Sequence, residues 1–460
     1  MRFSLVTLGC DKNSVDSERH LANLTAHGAT ITDDPSEADV IVVNTCGFID
    51  AAKQESIDAI VAAGRLKDGR CEAVVAVGCL IERHRDEMRE ALPEVDVFLG
   101  ASEGDQLVPT LIERGLLASD VLAHPGERLY AGTLPHVRYL KISEGCDHGC
   151  AFCAIPLMRG RHRSFALDDV VREAQLLEVQ GAREVNLVAQ DLAHYGRDRR
   201  DGVGLPQLLT SLARETSIPW FRNLYLYSAG ITPALLEVLA AEPRIVPYLD
   251  TPMQHGSDRM LQAMRRPERQ KTIRERIARY RDAVPNVAIR TTVIVGFPGE
   301  TDDDVDQLCD LLEELQLERA GVFTYSPQEG THGATLRDTV PESLARERHE
   351  RVTELQRSIT AGRYGARVGM RTRALVNFSA TAGEPAQARL PWQADDIDGI
   401  TVLDRDARPG DFVEVEVTDV VDDYDFTARV TAVVPRPAPP RATSRRALPV
   451  VATSMGSYGR

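Results

Sequence analysis

The densest chemistry in this chain lies in the stretch GCDHGCAFC, residues 145–153, which holds Cys146, Cys150 and Cys153 in a C-x3-C-x2-C spacing. Three thiolates this close can ligate three irons of a [4Fe–4S] cube, because soft sulfur donors suit iron–sulfur clusters. The motif supplies no fourth thiol, so one iron would be left open to bind a small molecule and pass it an electron. Two plainer readings stand beside this one. A zinc knuckle would want a fourth Cys or His close by, and His148 sits awkwardly inside the loop. The other is three unrelated core thiols.

A second set of three follows a different logic. Cys10, Cys46 and Cys79 end the apolar, β-branched runs FSLVTLGC, DVIVVNTC and AVVAVGC, each beside Gly9, Thr45 or Gly78. One such cysteine is ordinary, since free Cys is a common core residue. Three at matching strand ends point to a second three-thiol cluster site, because ligands of open α/β sheets collect at the carboxyl ends of strands. Cys71 in a helix-to-strand turn and Cys309 in an amphipathic helix read as structural.

The elements that must position these thiols fall into segments. Residues 1–119 alternate continuous Val/Ile/Leu runs with helices, the pattern of an open, parallel α/β domain. Its helix SVDSERHLANLTAHG takes Ser14 as N-cap and Gly28 as its stop. Past a Pro/Gly/His connector, residues 132–364 resume the alternation. VRYLKISEGC, EVNLVAQD, NLYLYS, IVPYLDTPMQ, AIRTTVIVGFP and AGVFTYSP read as six strands of a partial (β/α) barrel, with its active site at the strand C-termini. Polar residues fall near those ends: Gln190 and Asp191, Asp250 and Gln254, Arg290, and the turn GFPGE. Residues 366–434 switch to short alternating strands, a small antiparallel OB-like barrel. Residues 435–460, rich in Pro, Ser and Arg, read as a disordered basic tail.

Composition narrows the partners. The chain has 460 residues, 43% hydrophobic and 27% charged, with a net charge of −15. No apolar run is long enough for a membrane span, and the N-terminus is too soon interrupted for a signal peptide, so a cytoplasmic location and no membrane partner are expected. Six of eight cysteines fall into two trios, which in a reducing compartment favours metal over disulfides. Nucleic-acid binders usually carry a basic footprint. The β-rich segment from residue 369 to 434 has instead six Arg and no Lys against thirteen Asp and Glu, which favours docking a cationic protein.

Together these stretches resemble the methylthiotransferases of the radical S-adenosylmethionine superfamily, up to about residue 434. The resemblance rests on LGCDKNSVDSE, NTCGFIDAAKQESIDAI, YLKISEGCDHGCAFCAIPLMRG, YLDTPMQHGS, IVGFPGET and YSPQEGT. One branch of that family modifies an adenosine in tRNA (the MiaB type). The other modifies an aspartate of the small-subunit ribosomal protein S-twelve (the RimO type), and the acidic β domain with DDIDG and DDYDF is similar to the second. Two departures are Asp11, where a proline is usual, and the Arg/Pro-rich tail.

The resemblance implies two [4Fe–4S] clusters and S-adenosylmethionine as cofactors. Cys146, Cys150 and Cys153 would hold the cluster that chelates and reductively cleaves S-adenosylmethionine, giving a 5′-deoxyadenosyl radical. Cys10, Cys46 and Cys79 would hold an auxiliary cluster that carries sulfur. Phe152 would lie against the adenine, and Gln190 and Arg290 would contact other parts of S-adenosylmethionine. The C-terminal module corresponds to a TRAM domain. Implied partners are ribosomal protein S-twelve, a flavodoxin- or ferredoxin-type electron donor, and a sulfur source. The rivals are the tRNA branch, a zinc-binding protein, and a ferredoxin-like carrier, which would normally complete each cluster with four cysteines.

Overall fold

The structure is a computed structural model and describes residues 1–118, 128–130 and 132–435. The proposed tail from residue 436 onward lies outside the described residues.

The N-terminal part is a five-stranded parallel sheet in the order β2-β1-β3-β4-β5. The strands are β1 (Arg2–Thr7), β2 (Thr30–Ile31), β3 (Val40–Thr45), β4 (Ala73–Gly78) and β5 (Val97–Gly100). Every residue of β3 and β4 is buried, as expected where helices cover both faces of a parallel sheet. Alternate side chains serve opposite sides. Val40, Val42 and Val75 pack with Leu24 of α1 (Asp11–Ala26) and with Leu107 and Leu111 of α4 (Leu107–Glu113). Ile41, Val43 and Val74 pack with Ile60 of α2 (Asp50–Arg65) and Ile81 of α3 (Cys79–Ala91).

The central part holds six parallel strands in two hydrogen-bonded groups, β10-β9-β6 and β11-β12-β13. These are β6 (Val137–Lys141), β9 (Glu184–Val188), β10 (Trp220–Asn223), β11 (Tyr248–Asp250), β12 (Ala288–Val295) and β13 (Arg319–Thr324). A single parallel bridge from Phe221 to Ile245 joins the groups. The result is an open barrel with β6 and β13 at its edges. Around it run α6 (Leu167–Val179), α7 (Leu205–Glu215), α8 (Pro233–Ala241), α10 (Gln270–Ala283), α11 (Asp302–Leu315) and α12 (Glu342–Gly365). Short elements decorate the mouth: β7 (Ser143–Glu144), α5 (Ile155–Arg159), β8 (Arg163–Ser164) and α9 (Asp258–Ala263).

The C-terminal part is a closed five-stranded barrel, β14-β15-β16-β18-β17. It comprises β14 (Arg371–Phe378), β15 (Gln387–Arg389), β16 (Thr401–Leu403), β17 (Phe412–Val421) and β18 (Asp425–Val433). It docks against the N-terminal ends of the central strands, opposite the mouth. Glu184, first residue of β9, is wholly buried between Arg222 at 2.8 Å and Arg389 at 2.5 Å. Trp220, first of β10, meets Phe412 edge-on at 4.9 Å, an arrangement worth roughly 0.5–1.5 kcal/mol beyond its burial. The Tyr248 hydroxyl donates to Asp398 at 2.5 Å.

Two local expectations are corrected. Helix α1 starts at Asp11 with Cys10 as N-cap, not at Ser14; the Cys10 carbonyl accepts from the N–H groups of Asn13 and Ser14, which closes the first turn earlier. The third central strand is Trp220–Asn223, and the β-like run NLYLYS is mostly the loop after it, because Tyr225 takes a left-handed φ of 65° that ends the strand. The short strands β2, β5 and β15 carry too few residues for an apolar period and were not expected.

A candidate active site between two thiol trios

The first trio is assembled by sheet geometry. Cys10 caps α1 after β1, Cys46 follows β3, and Cys79 follows β4 and opens α3, so three parallel strands deliver three sulfurs to one edge. Gly9, at φ +89°, makes the close approach possible: a Cβ there would lie 2.7 Å from Cys46 Cβ and 2.8 Å from its sulfur. Asn13 ties the loops together, its Nδ2 donating to the carbonyls of Leu8 at 2.7 Å and Thr45 at 3.1 Å. Ser56 Oγ accepts from the Cys46 N–H at 2.9 Å. Burial pushes the Cys79 thiol up to about 12, and it raises Cys46 as well.

The second trio lies in the loop after β6. Gly145, at φ +78°, starts it where a Cβ would come within 2.1 Å of the Arg161 carbonyl oxygen. The loop is pinned from both sides, by Ala151 N–H donating to the Met264 carbonyl at 3.0 Å and Gly333 N–H donating to the Ala151 carbonyl at 2.6 Å. Burial lifts Cys146 to about 11 and Cys153 to about 12. Arg266, 4% exposed, donates to Cys150 Sγ at 3.7 Å and stacks on Tyr227 at 4.0 Å. His148 stacks on the other ring neighbours, Tyr227 at 3.9 Å and His194 at 4.4 Å. Its Nε2 lies 2.8 Å from Asp191. Burial works to raise the Asp191 carboxyl, but the bond from His148, with His194 and the Tyr227 N–H, holds it below its ordinary value.

The donor sets fit iron–sulfur clusters. The N–H groups of Phe48, His148 and Ile155, each two residues on, bond the sulfurs of Cys46, Cys146 and Cys153 and favour thiolate. Among the described residues, metal-like groups with ligand atoms within 4.8 Å of one another are His148–Asp191–His194 and His84–Glu87–Glu329, and neither thiol trio is among them. A single zinc would draw its sulfurs closer than that, whereas a cube spreads them over separate irons. Cys71 and Cys309 pack in separate apolar cores, away from both trios.

A buried charge network joins the two sites. Arg159, at the end of α5 just beyond Cys153, donates from Nε to Cys79 Sγ at 3.1 Å. Its other nitrogens bond Asp16 at 2.7 Å, Glu144 at 3.4 Å, and Asn13. Lys141 binds Glu144 at 2.6 Å and also Asp16. Burial opposes ionisation of Asp16, but Lys141 and Arg159 hold its carboxyl well below the usual range.

The remaining residues named from sequence fall in different places. Phe152 packs against an apolar group containing Ala151, Met260, Met264 and Phe297. Gln190 reaches the charge network, its Nε2 donating to Glu144 at 3.0 Å. Arg290 sits third in β12, nearer the barrel floor, and is paired with Asp250 at 2.9 Å. Arg159, Arg266, Asp16, Lys141 and Glu144 were missed by sequence reasoning; only their poor fit to buried neighbours sets them apart, and burial is not visible in a single sequence.

Comparison with known proteins places the chain in a family. The family model "Uncharacterized protein family UPF0004" matches residues 2–100 and "Radical SAM superfamily" matches residues 140–312. The solved structure of the radical S-adenosylmethionine methyltransferase TsrM from Kitasatospora setae, with tryptophan substrate and aza-SAM bound, aligns with a TM-score of 0.53 over 70% of this chain and 72% of that one. At 14% identity this likeness concerns the fold alone. Ribosomal protein uS12 methylthiotransferase RimO of Anaeromyxobacter sp. (strain Fw109-5) is 46% identical over 98% of this chain and 99% of its own. The protein of that name in Desulforudis audaxviator (strain MP104C) is 42% identical, covering 94% and 98%. Identity at this level along almost the whole of both chains carries one conclusion: the chain belongs to the ribosomal protein uS12 methylthiotransferase RimO family.

Proposed function

We propose that this protein attaches a methylthio group to the β-carbon of an aspartate in ribosomal protein S-twelve. The carrying observation is two separate three-thiol sites on neighbouring parts of one chain, joined through Arg159, in a chain that matches RimO relatives from end to end. Sulfur insertion needs a radical source and a sulfur carrier, and two sites supply a place for each.

In this reading Cys146, Cys150 and Cys153 hold the radical-type [4Fe–4S] cluster, and Cys10, Cys46 and Cys79 hold the auxiliary one, within domains 1–119, 132–364 and 366–434. When bound, the clusters and S-adenosylmethionine supply the electron, the abstracting radical, the sulfur and the methyl group. The chain's own residues orient and exclude water. Arg266 offsets thiolate charge at Cys150, Arg159 does so at Cys79, and His148 is held by Asp191 so that the loop keeps one shape. Phe152 and the apolar group around it keep the mouth dry, and Gln190 and Arg290 are the proposed contacts to S-adenosylmethionine. A flavodoxin- or ferredoxin-type protein is the proposed reductant, together with a separate sulfur source. Among the described residues no helix is long and apolar enough to cross a membrane, in keeping with a proposed site of action at the ribosome in the cytoplasm.

The test is mass spectrometry of an S-twelve peptide incubated anaerobically with reconstituted enzyme, S-adenosylmethionine, sulfide and reductant, beside total tRNA. A methylthio aspartate is expected. A methylthiolated tRNA nucleoside with an unmodified peptide would replace this reading with the tRNA branch.

A further inference from the structure

Lys12 is 8% exposed, yet its ammonium has no hydrogen bond and no carboxylate within 4.0 Å among the described residues. Its contact is the face of Tyr225, with Nζ 3.4 Å from the ring centroid. The stem of Lys12 is buried while its Nζ keeps contact with solvent, and the cation–π contact holds the ammonium in one place. Elsewhere in this chain buried cations are matched, Arg138 by Glu18 and Arg222 by Glu184. Lys12 instead keeps its ammonium clear of any salt-bridge contact among the described residues.

Its place in the fold gives the departure meaning. Lys12 is in the first turn of α1, two residues from Cys10, and so stands beside the first thiol trio. It reaches across the domain boundary to Tyr225, in the loop that follows β10. Tyr225 is held there in a left-handed conformation, φ 65°, with its N–H donating to Asp250 at 3.3 Å. Such strain is kept where surrounding structure needs one geometry. Of the nearby acids, Asp11 feels the Lys12 charge without coming into salt-bridge contact with it. Asp250 is paired with Arg290 at 2.9 Å, and Asp11 accepts from the Tyr225 hydroxyl at 3.4 Å.

We propose that Lys12 is the recognition cation for the side-chain carboxylate of the acceptor residue, preorganised on Tyr225 beside the first thiol trio. This rests on the proposed reading that the acceptor is an aspartate. A carboxylate held by Lys12 fixes the adjacent methylene, which is the carbon to be modified. The same contact disfavours an amide, whose neutral oxygen is a weaker acceptor for the ammonium than a carboxylate.

The test is the ratio of Kd values for two S-twelve peptides, one with Asp and one with Asn at the acceptor position, on cluster-loaded full-length protein. Fluorescence anisotropy reads the ratio for wild type, Lys12→Met and Lys12→Arg. Wild type is expected to prefer Asp by roughly ten- to a hundredfold, the range of a charge-assisted hydrogen bond. Lys12→Met keeps an apolar stem on Tyr225 and should bring the ratio near one, while Lys12→Arg should keep most of it. Iron content checks that each variant is folded and loaded. A wild-type ratio near one, or an undiminished ratio in Lys12→Met, overturns the proposal. Methylthio product on the Asp peptide judges the function separately, so the two readings fail independently.

Discussion

Arg159 and Cys79 are joined by an N–H···S hydrogen bond of 3.1 Å, although one follows the central thiol loop and the other opens a helix of the N-terminal sheet. One side chain therefore touches a thiol of the first trio from a helix fixed by the second. Around it, Cys79 packs with Ala154 and Met158, so the loop that carries Cys153 also forms a wall of the other site.

This relation predicts a coupled loss. In Arg159→Gln, Asp16 loses a partner it holds at 2.7 Å and Cys79 loses its donor. Breaking a buried pair costs about 3–5 kcal/mol, which thermal unfolding of the metal-free protein should show. Arg159→Lys keeps the charge and should recover part of that loss. Equal melting temperatures for wild type and Arg159→Gln would refute a stabilising network.

The two trios should be separable. Cys150→Ala should bind about four rather than about eight irons per chain and form no 5′-deoxyadenosine. Cys46→Ala should show the same iron content but still cleave S-adenosylmethionine, with no methylthio product. Iron and sulfide assays with product chromatography decide it; methylthio product from Cys46→Ala would remove the auxiliary role.

Gly9→Ala tests the close approach at the first trio. The added methyl meets Cys46 Cβ at 2.7 Å and its sulfur at 2.8 Å, in a backbone conformation that disfavours side chains. Iron bound at the first trio should fall at least severalfold while the electron paramagnetic resonance signal of the second persists. Unaltered loading would mean that the loop yields.

Glu184 sets an acid limit on how the C-terminal barrel is held. Burial disfavours its charge, but Arg389 and Arg222 bring its carboxyl down to about 2 from an ordinary 4.5. Because the folded value is the lower one, the contribution is complete above about 4.5 and is lost as pH falls through 2. Urea midpoints measured from pH 7 downward should therefore decline below pH 4.5 in wild type. Glu184→Gln should start about 3–5 kcal/mol less stable and show a flatter acid limb. Parallel acid limbs for the two proteins would assign the decline to other groups.

The sequence by itself determined what local spacing can encode. The C-x3-C-x2-C loop, three cysteines at the ends of apolar runs, the alternation of strand and helix, and the change to short alternating strands after α12 were all legible. Each of these depends on neighbours along the chain, where backbone period and residue type act directly. NLYLYS misled because its β-like composition does not reveal the left-handed Tyr225 that turns the chain. What only the tertiary structure decided is how distant charges meet: Arg159 with Cys79, Glu184 with Arg389, and Lys12 with Tyr225 in place of a carboxylate. Such pairs carry no sequence period. They are selected by burial, which makes an unmatched charge costly and becomes defined only when separate parts of the chain close on one another.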